Sequence, residues 1–241
     1  MKSVSVLALG TACSISLSAI AAVQPASAQL VNGGFETGNF TGWATTGNTS
    51  IQTSAFGSGP TEGTFEALVS TAEPTVTDFS LEAFLGLAPG SLDNLGNGNA
   101  TFGSAIRQTF TGRAGDILTF DWNFLTNEFT DPSNSFNDFS FVSLGLLSEL
   151  ADTRFPIFLG SPTPFDEETG FRTFSFTIPT TGTYVLGLGV TDVGDTAFDS
   201  GLLVDNVRLT SVPEPTSTLG VLAFGAFGAG SLLKRKRQQK A

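Results

Sequence analysis

Residues 116–124 read "DILTFDWNF", and this stretch decides the fold class. Leu118, Phe120, Trp122 and Phe124 alternate with Thr119, Asp121 and Asn123, so every second side chain is large and apolar. That period of two belongs to a strand with one face in a core and one face toward polar surroundings. The pattern recurs in "FRTFSFTI" (171–178), where Phe174, Phe176 and Ile178 fall together. It recurs again in "TYVLGLGV" (183–190), which aligns Tyr184, Leu186, Leu188 and Val190. Further strands are expected near 49–54, 65–70, 104–110, 139–147 and 201–210. Between these runs lie turn formers such as "GSGP", "APG", "GNGN", "DPSN", "SPTP", "TTG" and "VGD". About eight strands with polar connections predict an all-β fold, a two-sheet antiparallel sandwich of the jelly-roll kind. One short helical excursion interrupts it. In "TDFSLEAFLGLAPG" (77–90), Thr77 or Asp78 caps a helix on which Phe79, Leu81, Phe84 and Leu85 cluster, and Pro89-Gly90 ends it.

The two ends of the 241 residues differ from this middle. Lys2, an apolar run from about Val4 to Val23, and Ala26-Ser27-Ala28 have the order of a secretory signal peptide cleaved before Gln29. The single cysteine, Cys13, lies inside that segment, so residues 29–211 contain no thiol and no disulfide. At the other end, Thr218 to Leu233 forms an apolar run of 16 residues. It is followed by Lys234, Arg235, Lys236, Arg237 and Lys240. As a helix it would reach about 24 Å, short for a permanent span, and four glycines weaken it further. The chain therefore divides into a signal peptide (1–28), one domain (29–211) and a tail (212–241). The domain holds 21 acidic residues against five arginines, a net charge of −16. Such a surface disfavours nucleic acid and anionic lipid and suits divalent cations or a hydrated matrix.

The sequence has no histidine. Ser-His-Asp and Cys-His catalysis and zinc sites built on His or Cys are thereby excluded from the domain. Enzymes based on paired carboxylates remain, with Asp121, Glu128, Asp131, Asp138 and Asp166-Glu167-Glu168 available, but no local pattern separates an acid from a base. In "GLLVDNVRL" (201–209), Asp205 falls in phase with Leu203, Val207 and Leu209. A carboxylate on an apolar face needs a cation, an arginine or water to meet it. Calcium, a hard ion that takes six to eight oxygens, would serve. Near the start, "NGGFETGNFTGW" (32–43) sets Glu36 among glycines that let backbone approach closely. If the first and last segments are neighbours, Glu36 and Asp205 can share one structural Ca²⁺. Asp192, Asp195 and Asp199 form a second acidic cluster without calcium-loop spacing. Trp122 and Tyr184 fit core positions, and Trp43 is undecided. Phe129, Phe136 and Phe165 sit in polar loops and are the candidates for stacking on a sugar.

The tail "VPEPTSTLGVLAFGAFGAGSLLKRKRQQ" resembles the PEP-CTERM sorting signal of Gram-negative bacteria: Pro213-Glu214-Pro215, a short apolar span and a basic cluster. The resemblance implies an exported protein whose tail is held transiently in the inner membrane and processed by an exosortase, a membrane-embedded protease. It further implies a destination at the cell surface or in the extracellular matrix, in association with exopolysaccharide. The central region is similar to cargo domains of such proteins and to carbohydrate-binding jelly rolls with a structural calcium, through "VNGGFETGNFTGW" and "DTAFDSGLLVDNVRL". In those modules the Glu after Gly-Phe and the last-strand Asp are calcium ligands, which correspond here to Glu36 and Asp205. The expectation is a non-catalytic exported domain. The alternatives are a purely structural surface protein stabilised by calcium, and a carboxylate glycosidase or lyase.

Overall fold

The alternation of residues 116–124 is realised as a strand, Ile117–Thr126, that Asp116 immediately precedes. The computed structural model describes residues 30–212 except Pro132; Ala26, Ala28 and the Pro213-Glu214-Pro215 motif lie outside the described residues. The strands are β1 (Ala44–Thr46), β2 (Asn48–Gln52), β3 (Glu66–Ser70), β4 (Val76–Thr77), β5 (Ala100–Gly112), β6 (Ile117–Thr126) and β7 (Phe139–Leu144). They continue with β8 (Leu146–Asp152), β9 (Leu159–Gly160), β10 (Glu167–Glu168), β11 (Arg172–Thr177), β12 (Gly182–Val193) and β13 (Ser200–Thr210). A helix, α1 (Asp78–Leu85), follows β4. One sheet has the order β1-β5-β12-β7-β8, with β4 also on β5; the other has β2-β3-β13-β6-β10-β9, with β11 also on β6. The pairings are antiparallel. The fold is thus an all-β two-sheet sandwich with one short helix.

Leu118, Phe120, Trp122 and Phe124 of β6 face Ile106, Phe110, Val142, Leu186, Leu188 and Val190 of the other sheet in one core. Phe174, Phe176, Ile178 and Tyr184 pack on the same core, as the alternation predicts. Trp43 joins it too, with its indole N–H donating to Asn32 O. A second apolar cluster lies on the outside of the first sheet, where Leu81 and Leu85 of α1 cover Ala105, Phe139 and Phe141. Among the described residues no helix is long and apolar enough to cross a membrane.

Three differences from the alternation pattern have local causes. The strand expected over 139–147 is a hairpin, because Gly145 (φ 73°) turns the chain and pairs Leu144 with Leu146. Thr77 caps α1 as expected, its hydroxyl accepting from Ser80 N. The helix stops at left-handed Gly86, before Pro89-Gly90, and Phe79 faces solvent instead of joining Leu81 and Leu85. In β13 a bulge between Asp205 and Arg208, with Asn206 at φ 57°, shifts the phase of the strand. Leu203 and Asp205 therefore face outward, while Val207 turns into the main core. The shared face of Leu203, Val207 and Leu209 is a correction to the simple alternation.

Candidate functional site

The first candidate is an anionic row on the outer face of the second sheet. Register places Asp205 of β13 opposite Asp121 of β6, and Val204 pairs with Ala67, which carries the row on to Glu66 of β3. The loop 53–65 folds over it. Thr61 Oγ1 lies 2.9 Å from Asp121 Oδ2 and 3.0 Å from Asp205 Oδ2, and Glu62 N donates to Asp205 Oδ2 at 2.8 Å. Asn206 N donates to Asp205 Oδ1 at 2.6 Å. Burial nevertheless raises the Asp205 pKa above the usual carboxylate range, these hydrogen bonds offsetting it only in part. Asp121 goes the other way: burial raises it, but hydrogen bonds from Thr173, Asn206 and Thr61 outweigh that and leave its pKa lowered.

Glu36 comes to the same place from the opposite end of the chain. Its carboxylate accepts from Thr64 N at 2.9 Å and Phe65 N at 3.0 Å. A Cβ on Gly34 would lie 3.7 Å from Glu36 Cγ and 3.8 Å from Asp205 Oδ1, so the two expected calcium ligands flank one glycine. Gly63 (φ +70°) is required beside them, because a Cβ there would meet the Glu36 carboxylate at 2.3 Å. Does this donor set suit a hard cation? Glu66 bears on the answer. It is fully buried, and neither carboxylate oxygen has a hydrogen-bond partner. Burial first, then Asp205 and Glu168, push its pKa up to about 8. A buried acid without a partner and near Asp205 is an environment a divalent cation would relieve. Among the described residues no three acidic side chains are gathered as a ligand set, so a cation here would take its other oxygens from backbone and water. The sequence signal for Glu66 is absent, since "TFEALVS" reads as an ordinary strand with Glu66 on its polar face.

The second candidate lies at one end of the sandwich. Asn127, Glu128, Phe129, Thr130, Asp131, Asp166 and Glu167 line a cleft of about 440 Å³. Phe129 is 68% exposed and Phe198 43% exposed, and their rings meet edge to face at 5.6 Å. Phe136, also partly exposed, packs on Gly194 of the loop that carries Phe198. Two of the three loop phenylalanines singled out from the sequence therefore lie beside one loop. The third does not: Phe165 is buried with Leu68, Leu125 and Leu203 on the outer face of the second sheet. Phe198 escaped the sequence reading because it lies in an acidic loop without alternation. Glu128 is itself buried; its carboxylate accepts from Asn134 Nδ2 at 2.7 Å. Asp131 is exposed, and hydrogen bonds from Ser133 lower its pKa.

No family model and no curated protein matches the sequence. Among solved structures the chain is similar to TmCBM61 in complex with β-1,4-galactotriose, at 15% identity and TM-score 0.43, covering 77% of this chain and 99% of that one. It is similar to a carbohydrate-binding module of the β-sandwich superfamily at 12% identity and TM-score 0.38, covering 77% and 64%. The K2 cleaved adhesin domain of Lys-gingipain follows at 8% identity and TM-score 0.35, covering 77% and 97%. Likenesses this distant carry no functional argument.

Proposed function

We propose that the protein is an exported, non-catalytic domain that associates with exopolysaccharide through its Phe129–Phe198 end. The observation that carries this reading is an exposed pair of phenyl rings beside a cleft lined by carboxylates. Ring faces accept the C–H faces of a pyranose, and carboxylates accept hydrogen bonds from its hydroxyls. An edge-to-face pair is also held more rigidly than a lone loop ring, which lowers the entropic cost of binding. A jelly-roll relation between the sheets is the finer fold reading that accompanies it. Cleavage after Ala28, processing of the Pro213-Glu214-Pro215 tail by an exosortase-type protease, transient inner-membrane anchoring and a surface or matrix destination belong to the same proposal. They rest on the sequence resemblance.

The test is affinity electrophoresis of the protein through gels containing purified exopolysaccharides. The wild type is expected to be retarded by at least one of them, and the double substitution Phe129→Ala/Phe198→Ala to weaken that affinity about 10-fold or more. No retardation of the wild type by any glycan would leave the purely structural reading in its place.

Calcium held by Glu36 and Asp205 is the second component of the proposal, supported by their placement on either side of Gly34. Calcium would supply charge neutralisation and would tie the 32–37 segment to β13; it is given no chemical step. Asp205→Asn is expected to abolish the calcium-dependent rise in melting temperature that this site produces. An unchanged rise in that variant, with the Asp138–Asp192 pair described below also removed, would exclude the site.

A further inference from the structure

The interior of the sandwich changes character near the cleft. Along β3, β13 and β6 the core-facing positions run Val69, Leu202 and Phe124, then Thr71, Ser200 and Thr126. The hydroxyls are linked: Thr126 Oγ1 and Ser200 Oγ are 2.9 Å apart, and Ser200 N donates to Thr71 Oγ1 at 2.9 Å. Facing them from the other sheet are Asp138 and Asp192. The β7–β12 register runs to Phe139 opposite Thr191, so one further step sets Asp138 across from Asp192. Both side chains turn toward the hydroxyl row. Ser200 Oγ donates to Asp138 Oδ2 at 2.8 Å, and Thr71 is close enough to Asp192 to lower its pKa against the effect of burial. Val193 N donates to Asp138 Oδ1 at 2.9 Å.

Each of the two acids is only 2% exposed. Asp192 Oδ1 is buried with no hydrogen-bond partner. Directly opposed like charges destabilise a strand pair even at a surface, and burial multiplies the cost. Burial is the largest influence on both carboxyls. It pushes the pKa of Asp138 up to about 7, hydrogen bonds from Ser200 and Val193 offsetting it in part. It pushes that of Asp192, with Asp138 as its next cause, up to about 8. Further acids add to this, Glu128 acting on Asp138 and Asp199 acting on Asp192. Two aspartates neutralise one divalent ion. Among the described residues no three acidic side chains form a ligand set alone, so the remaining oxygens must come from the hydroxyl row, backbone carbonyls and water.

We infer that the Asp138–Asp192 pair, with the hydroxyls of Thr71, Ser200 and Thr126 around it, is a binding site for a divalent cation of calcium chemistry, distinct from Glu36 and Asp205. Asp205 lies five residues along β13 from Ser200, about 16 Å away at ~3.3 Å per residue, and on the opposite face of the sheet. The ion joins β7 and β12 to the ends of β3 and β13. It is also linked to the aromatic cleft through Glu128, which lines the cleft and acts on Asp138. The inference stands whether or not the cleft binds a glycan.

Calorimetric titration of Ca²⁺ into the full EDTA-treated protein tests it, using wild type, Glu36→Gln/Asp205→Asn and Asp138→Asn/Asp192→Asn. A binding event is expected to survive in the Glu36/Asp205 variant. The Asp138/Asp192 variant is expected to lose one equivalent, or to weaken it at least 100-fold. With Ca²⁺ at a hundredfold excess over Kd, the Glu36/Asp205 variant should melt about 5–10 °C higher than in EDTA, and this shift should vanish when the Asp138/Asp192 pair is also changed. Asn–Asn pairing removes the buried repulsion, so the Asp138/Asp192 variant should melt in EDTA no lower than the wild type. That control separates loss of the site from loss of the fold. If it melts lower, the single variants Asp138→Asn and Asp192→Asn replace it in the same titration. An unchanged Ca²⁺ stoichiometry in folded Asp138/Asp192 variants overturns the inference. So does the absence of any Ca²⁺ binding to the Glu36/Asp205 variant, which would mean that the two aspartates share a proton instead.

Discussion

Phe120→Ala is expected to lower the free energy of unfolding by about 3–5 kcal/mol. Phe120 is fully buried at the middle of β6, the strand bonded to β13 on one side and to β10 and β11 on the other. Its ring stacks on Phe174, the residue directly across the β6–β11 pair, with centroids 4.8 Å apart. Truncation loses the transfer energy of the ring and leaves a void that two hydrogen-bonded neighbours cannot close. Domains of this size are stable by only about 5–15 kcal/mol, so the loss is a large fraction of the total. Urea denaturation checks it: the midpoint should fall by more than about 1 M. A fall below about 0.5 M would mean that the ring is not a core element.

Gly33→Ala is expected to cost about 3 kcal/mol or more, through a different mechanism. The added Cβ would stand 2.0 Å from the backbone carbonyl oxygen of Val207, and backbone cannot rotate away as a side chain does. Val207 N also donates to Gly33 O at 3.0 Å, so the clash falls on the contact that fastens the segment before β1 to β13. Relief requires the 32–37 segment to lift, taking Glu36 from its place beside Gly34 and Asp205. The variant should therefore melt lower and also lose any calcium response that depends on Glu36. Wild-type stability in Gly33→Ala would show that the 32–37 segment is not fastened to β13.

Much of this architecture is legible in the residues because burial is two-sided and regular. Leu118 to Phe124, Phe174 to Ile178 and Tyr184 to Val190 each present one face to a single core, and period two reports that directly. Asp205 is conspicuous for the same reason, although the bulge at Asn206 puts it on a different face from Val207. What the pattern cannot convey is how separate strands meet. Asp138 sits in a run of turn residues and Asp192 at the end of an apolar strand, and neither is unusual alone. Only the β7–β12 register sets them opposite one another. Glu66 is hidden likewise, because nothing in its own strand announces that Asp205 and Glu168 come near it. Phe165 has the sequence context of an exposed loop ring, yet Leu68, Leu125 and Leu203 give the outer face of the second sheet an apolar patch for it to cover.

The strand order also sets when this domain can fold. β12 lies between β5 and β7 in one sheet, and β13 between β3 and β6 in the other. The middle of each sheet is thus supplied by residues 182–210, the last two of the described strands. As the polypeptide emerges from a ribosome or a translocation channel, the earlier strands have no central neighbour to pair with, and each sheet exposes two unfinished edges, β5 and β7 in one and β3 and β6 in the other. Folding is held back until nearly the whole domain has emerged, and any factor that shields those edges must act before residue 210 appears. A chain cut short before residue 182 would retain the eleven described strands that precede β12 and still lack the centre of both sheets, so it would be a substrate for proteolysis and not a smaller domain.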